Sequence, residues 1–483
     1  MRWTQSLLVV AVSGALLATG CGRGGAAASA SGLSWHQCDG QFECATLRVP
    51  VSYSDLGGPQ IPISVVKLGA TGPHPIGDIV FNPGGPGASG VQYLEAVAGT
   101  FPASLRQHFN LVSFDPRGSG SSRPLHCLTS AEVPAWLRVN PAPTTPRQIA
   151  RVVSASKAFV RGCERRASTH FIASLSTANN ARDMDRLRAA LGQSKLTYYG
   201  LSYGTFLGTV YAEMFPSRVR AMVLDGALDP AIDNETLESE QAAGFETDLH
   251  DFFAWCTRDS SCRSDFSARP APAFARLMAR FTRGLVISSH VNYGVALLGV
   301  IATLYSKSSW PFLGQALGAA ENGDGTGLAE AADSYAGVNA DGSFSNILSA
   351  STATDCLDRP APTTIGAYKA LAARLTKSAP DFGAAEAWSS LPCTFWPAPP
   401  QAHPAPAHAP GAPPILVVGS TGDPATPYAW AKALAKQLPR ATLLTRTGPG
   451  HTAYRASSCI RAWADRYLET RRMPPAGTVC RSN

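Results

Sequence analysis

The chain has 483 residues, 45% of them hydrophobic, and a formal net charge of +7. That is enough apolar material for a large α/β core carrying an insertion, and it excludes a disordered or fibrous chain. The basic residues are dispersed, with no aromatic-interleaved stripe, which argues against a nucleic-acid partner.

The first residues read as a targeting segment. Arg2 starts it, residues 7–17 form an apolar core too short to span a bilayer, and the stretch ends Leu17-Ala-Thr-Gly-Cys21. A small residue before a cysteine resembles a lipobox, so residues 1–20 are expected to be a lipoprotein-type signal peptide with Cys21 lipidated; Ala18 stands where leucine is usual. Residues 21–34 are rich in Gly, Ala and Ser and read as a flexible tether. The chain has 11 cysteines, so setting Cys21 aside leaves an even number, as an oxidising compartment favours. Spacing suggests Cys38–Cys44, Cys256–Cys262 and Cys459–Cys480 as local pairs, with Cys127–Cys163 and Cys356–Cys393 completing the set. No C-x-x-C pair occurs and no histidine joins a cysteine cluster, so no metal is expected.

Beyond the tether, β-type runs alternate with helical patterns, the mark of a mostly parallel sheet. Strands are expected at 44–53, 60–68, 78–82, 110–115, 195–199 and 220–225. From 231 to 396 the text turns helical and reads as an inserted cap. Residues 397–414 are rich in Pro, Ala and His and read as a semi-rigid connector. Strands at 414–419 and 441–445 and helices at 428–438 and 457–469 complete the core.

Gly200-Leu-Ser202-Tyr-Gly204 follows a strand and opens a helix, the context of a nucleophile elbow. A serine there needs a base, and the base needs an acid, in the chain order Ser, Asp or Glu, His. His451, in Gly-Pro-Gly-His directly after the last expected strand, is the expected base. Asp423, in Gly422-Asp-Pro424 after the strand before it, is the expected acid, with Asp225 and Asp229 as rivals after the earlier strand. The oxyanion donors are expected on Tyr203, next to the nucleophile, and Gly85, in Asn82-Pro-Gly-Gly-Pro-Gly87. Residues 85–90 also match G-x-G-x-x-G, but Pro86 removes an N–H from the phosphate-facing turn, so no cofactor is expected. Asp115 and Arg117 are expected to tie down the neighbouring loop.

Together these motifs, with Asp115-Pro-Arg-Gly-Ser-Gly120, resemble the proline-iminopeptidase-related α/β-hydrolases and, more closely, the secreted tripeptidyl aminopeptidases, over residues 35–480. The resemblance implies an α/β-hydrolase fold with helices on both sheet faces and an inserted helical cap. It divides the chain into a first core part at 35–230, a cap with its Pro-rich connector at 231–410 and a C-terminal part of that family at 411–483. It implies release of short peptides from free N-termini, carried by Ser202, Asp423 and His451. Pro83 departs from the pattern, standing where iminopeptidases have histidine. Expected partners are peptide or small-protein substrates and, through Cys21 alone, a membrane; the chain is expected to be monomeric. A carboxylate of the cap is expected to bind the substrate's ammonium group, with Glu240 and Asp358 as candidates, and Trp255, Trp310 and Trp396 stand either along the channel or in the cap core.

Overall fold

The computed structural model describes residues 32–482. The expected signal peptide at residues 1–20 and the expected lipidation at Cys21 lie outside the described residues. Ten strands form one sheet: β1 (His36–Asp39), β2 (Phe42–Pro50), β3 (Gln60–Leu68), β4 (Gly77–Asn82), β5 (Phe109–Phe114), β6 (Leu196–Leu201), β7 (Val219–Asp225), β8 (Ile415–Gly422), β9 (Ala441–Pro449) and β10 (Val479–Arg481). Their order is β1-β2-β3-β5-β4-β6-β7-β8-β9-β10. β1, β2 and β3 pair antiparallel, as do β3 and β5, and every pairing from β5 to β10 is parallel. The central strands β4, β6, β7 and β8 are almost wholly buried, because helices cover both faces of a parallel sheet. β1 and β10 escape the sequence reading. They have four and three residues, too few for a period of two to show.

The chain steps from β4 outward to β5, then back past β4 to β6. The order therefore reverses between β4 and β6, where the connecting segments diverge and leave a crevice at the carboxyl ends of the strands. Asn82 at the end of β4 pairs with Gly200 near the end of β6, so the loop of glycines and the serine turn leave the sheet side by side. On the other flank, Gly422 pairs with Pro449, which brings the ends of β8 and β9 together.

After β7 the chain leaves the sheet and returns only at β8. The intervening segment is helical, opening with Asn234–Arg258, whose N-terminus is capped by the Asp233 carboxylate. Tyr293–Leu304 is apolar on all sides and is accordingly buried, packed against Thr326–Tyr335. Its core, built around Phe245, Phe252, Leu297, Trp310 and Leu313, extends to Ala425 in the loop after β8. Trp310 is buried among Phe252 and Trp255, and Trp396 packs on the sheet-side core, so Trp310 and Trp396 serve packing. All five cysteine pairs suggested by spacing form. Cys356–Cys393 clips the helix Ile347–Asp358 to the turn Leu391–Phe395, and Cys459–Cys480 clips Ser458–Thr470 to β10. A bridge of this kind stabilises by about 2–4 kcal/mol.

Candidate active site

Ser202 directly follows β6 with φ 55° and ψ −127°, a strained conformation for a side chain with a Cβ, and the helix Tyr203–Met214 starts at once. The turn closes only with glycine on both sides. A Cβ on Gly200 would lie 2.3 Å from the carbonyl oxygen of Gly204, and one on Gly204 would lie 2.7 Å from that of Asn82. The Ser202 N–H donates to the Asp225 carbonyl at 2.9 Å, fixing the turn against the end of β7. Tyr203 is the first residue of the helix, so its N–H has no intrahelical acceptor and is available to a ligand. The Tyr203 hydroxyl bonds to Thr177, whose own hydroxyl donates to Asp358 at 2.5 Å.

The loop after β4 lies directly on this turn. A Cβ on Gly84 would meet the Leu201 carbonyl at 2.5 Å and the Tyr203 nitrogen at 3.0 Å. Gly85 follows in an exposed position with φ 107°. Asp115 ties this loop down: Ser89 Oγ and the Val91 N–H donate to one carboxylate oxygen at 2.6 and 3.1 Å, and the Ser121 N–H donates to the other at 2.8 Å. Arg117 is buried in a two-pronged bond to Asp183 at 2.6 and 2.7 Å and donates to the carbonyls of Pro50, Val51 and Ser174. Both residues act on loops, as their positions suggest.

Asp423 and His451 meet. His451 Nδ1 lies 2.8 and 3.0 Å from the two Asp423 oxygens. The carboxylate is buried and also accepts the N–H groups of Ala425, Thr426 and Thr452 at 3.0, 2.8 and 3.2 Å. With Asp423 ionised, this arrangement puts the proton on Nδ1 and leaves Nε2 as a free base. Nε2 is buried without a hydrogen-bond partner among the described residues. The imidazole and the serine flank the same short segment: Ser202 bonds to Asp225, and a Cβ on the next residue, Gly226, would lie 3.2 Å from His451 Cε1. The Ser202–His451 hydrogen bond itself is not formed, and such contacts commonly tighten only around a substrate.

The rival acids are engaged elsewhere. Asp225 accepts from Tyr199 Oη and from the N–H groups of Ala453 and Tyr454 at 3.0, 2.9 and 2.9 Å, and burial pushes its carboxyl up to about 6. It therefore grips the backbone just after His451. Asp229 accepts from Ala231 and Gln437. Arg446, which no motif marks, holds the segment just before His451 by donating to the Pro449 and Gly450 carbonyls at 2.9 and 2.6 Å and to Ser420 Oγ at 2.9 Å. Tyr305, in the helical segment between β7 and β8, accepts the His451 N–H on its carbonyl at 2.8 Å and meets the imidazole edge-on, ring centres 5.4 Å apart. Neither proposed cap carboxylate is free: Asp358 is held by Thr177, and Glu240 accepts from Trp430 Nε1.

A family model described as "TAP-like protein" matches residues 379–480, the segment carrying Asp423 and His451. The chain is 36% identical over 461 residues to "Serine protease Hip1" of Mycobacterium tuberculosis, covering 90% of this chain and 87% of that one. It is 37% identical over 448 residues to "Carboxylesterase B" of the same organism, covering 90% and 86%. It is 29% identical over 480 residues to "Tripeptidyl aminopeptidase" of Streptomyces lividans, covering 96% and 89%. With a serine turn, an Asp–His pair and a mostly parallel sheet in one molecule, the chain belongs to the TAP-like serine hydrolases of the α/β-hydrolase family.

Proposed function

We propose that this protein is an exported serine exopeptidase that releases short peptides, tripeptides first among them, from free N-termini. The observation that carries the reading is the buried Asp423–His451 pair beside the strained Ser202. Ser202 Oγ attacks the carbonyl while His451 Nε2 takes its proton. The developing oxyanion is held by the N–H groups of Gly85 and Tyr203. His451 then returns the proton to the leaving amine, and water repeats the sequence on the acyl-enzyme. Asp423 holds the imidazole and stabilises its charged form. Relatives named as a serine protease and a tripeptidyl aminopeptidase support peptides as the substrate class.

A free N-terminus needs an anionic partner. Glu386 and Asp355 take the place of Glu240 and Asp358 as candidates, because their carboxylates accept no hydrogen bond among the described residues. Glu386 stands within electrostatic reach of Tyr305 and Tyr335, and Asp355 of Tyr335, Tyr203 and Arg359. Burial pushes each carboxyl up to about 7. A peptide α-amine loses its proton near pH 8. The two partners are therefore both charged only in a narrow window, from about pH 7 to 8. KM for a free-amine tripeptide anilide is expected to rise below that window, as the carboxylates protonate, and above it, as the amine does the reverse. N-blocked anilides are expected not to turn over; equal turnover of free and blocked forms would remove the aminopeptidase assignment.

The carboxylesterase-named relative favours a second reading, hydrolysis of cell-envelope or environmental esters by the same residues. A preference for acyl-ester chain length over free-amine peptides would support it. Export is supported by five disulfides, which persist in oxidising compartments. The division of the chain into core, cap and C-terminal part, lipidation at Cys21 and a monomeric state belong to the same proposal.

A further inference from the structure

A cavity of about 190 Å³ opens beside the imidazole, on the sheet side of the crevice rather than under the cap. Its buried floor is aromatic and aliphatic: Phe81 from β4, Tyr199 and Leu201 from β6, and Tyr454 from the loop after His451. Phe101 forms part of the rim, with its ring centre 4.8 Å from that of Phe81 and 5.9 Å from that of Tyr454. Two of the floor's hydroxyls are already used, Tyr199 on Asp225 at 3.0 Å and Tyr454 on Asp465 at 2.7 Å. The floor therefore offers ring faces and edges and little free hydrogen-bonding capacity, while Tyr93 and Arg455 add a hydroxyl and a guanidinium elsewhere in the lining. His451 and Thr452 form one wall, and Leu201 is the residue before the nucleophile.

The proton that His451 takes from Ser202 goes next to the departing nitrogen, so the leaving group must lie against the imidazole. A cavity walled by that imidazole faces the leaving group. We infer that this cavity is the leaving-group subsite and that it takes one aromatic or large aliphatic side chain, that of the residue following the cleaved bond. The inference rests on the acyl-enzyme reading above. It does not need the substrate to be a peptide, since any departing amine meets the same wall.

Deacylation by an added amine reads this subsite directly. The amine nitrogen attacks the Ser202 ester carbonyl and gives its proton to His451 Nε2. The carbon–Oγ bond then breaks, the proton passes to Oγ, and an amide leaves with the serine restored. p-Nitrophenyl acetate serves as acyl donor, with phenylalaninamide or glycinamide competing with water. Aminolysis relative to hydrolysis is expected to favour phenylalaninamide by about tenfold to a hundredfold, the preference of a buried aromatic ring. Phe101→Ala is expected to bring that ratio down severalfold. Fluorophosphonate titration counts the folded sites in each preparation, so a loss of folded protein is not mistaken for a loss of selectivity. Equal partitioning of the two amines in the unaltered protein overturns the subsite, as does a Phe101→Ala protein that keeps the full ratio. Discrimination between the amines without turnover of tripeptide anilides would instead overturn the peptidase reading and leave the subsite standing.

Discussion

Asp423→Asn is expected to lower turnover about 10⁴-fold, or about 5 kcal/mol of transition-state stabilisation. The reason is the tautomer. The Asp423 carboxylate accepts from His451 Nδ1 and from three backbone N–H groups. An asparagine keeps the shape but must turn its NH₂ toward one of these donors. The relief open to the site is to move the imidazole proton from Nδ1 to Nε2. The base then faces Ser202 with a hydrogen instead of a lone pair and cannot take the serine proton. Asp225→Asn is expected to cost far less, because Asp225 holds the backbone of Ala453 and Tyr454 and not the ring. Steady-state kinetics on a free-amine anilide, normalised to titrated sites, separates the two, with Ser202→Ala as the blank. Comparable losses in both variants would mean that the acid has been misassigned.

The second large effect falls on stability. Asp183→Asn is expected to cost about 3–5 kcal/mol, because it leaves the Arg117 guanidinium buried without its counter-charge. Arg117 and Asp183 are both fully shielded from solvent, and Tyr53 Oη adds a third bond to the same carboxylate at 2.7 Å. The pair joins the turn after β5 to the helix Thr177–Ala190 and to the end of β2. It lies away from the imidazole, so a lower urea midpoint is expected with turnover per titrated site retained. An unchanged midpoint would show that the pair contributes nothing net.

Much of the fold and of the site is legible along the chain. The glycines around Ser202 announce the turn, since any larger residue at 200 or 204 would collide with neighbouring backbone. The positions of Asp423 and His451 after successive strands follow from the order in which such a sheet is wound. Cysteines six residues apart, as at 38 and 44 or 256 and 262, suggest local pairs, and those pairs form. These features depend on local stereochemistry or on chain order, and both are written in the sequence.

What only the tertiary structure decides is which of several equivalent residues face the crevice. Asp225 and Asp423 both stand at strand ends, yet one grips backbone and the other the imidazole. Glu240 and Asp358 look no different in the sequence from Glu386 and Asp355, but the first two are taken up by Trp430 and Thr177. The cavity beside His451 gathers residues from positions 81, 101, 199 and 454, and no local pattern joins them. Such contacts arise when separate elements pack, and packing depends on the summed shape and burial of the whole chain rather than on any segment's own preference.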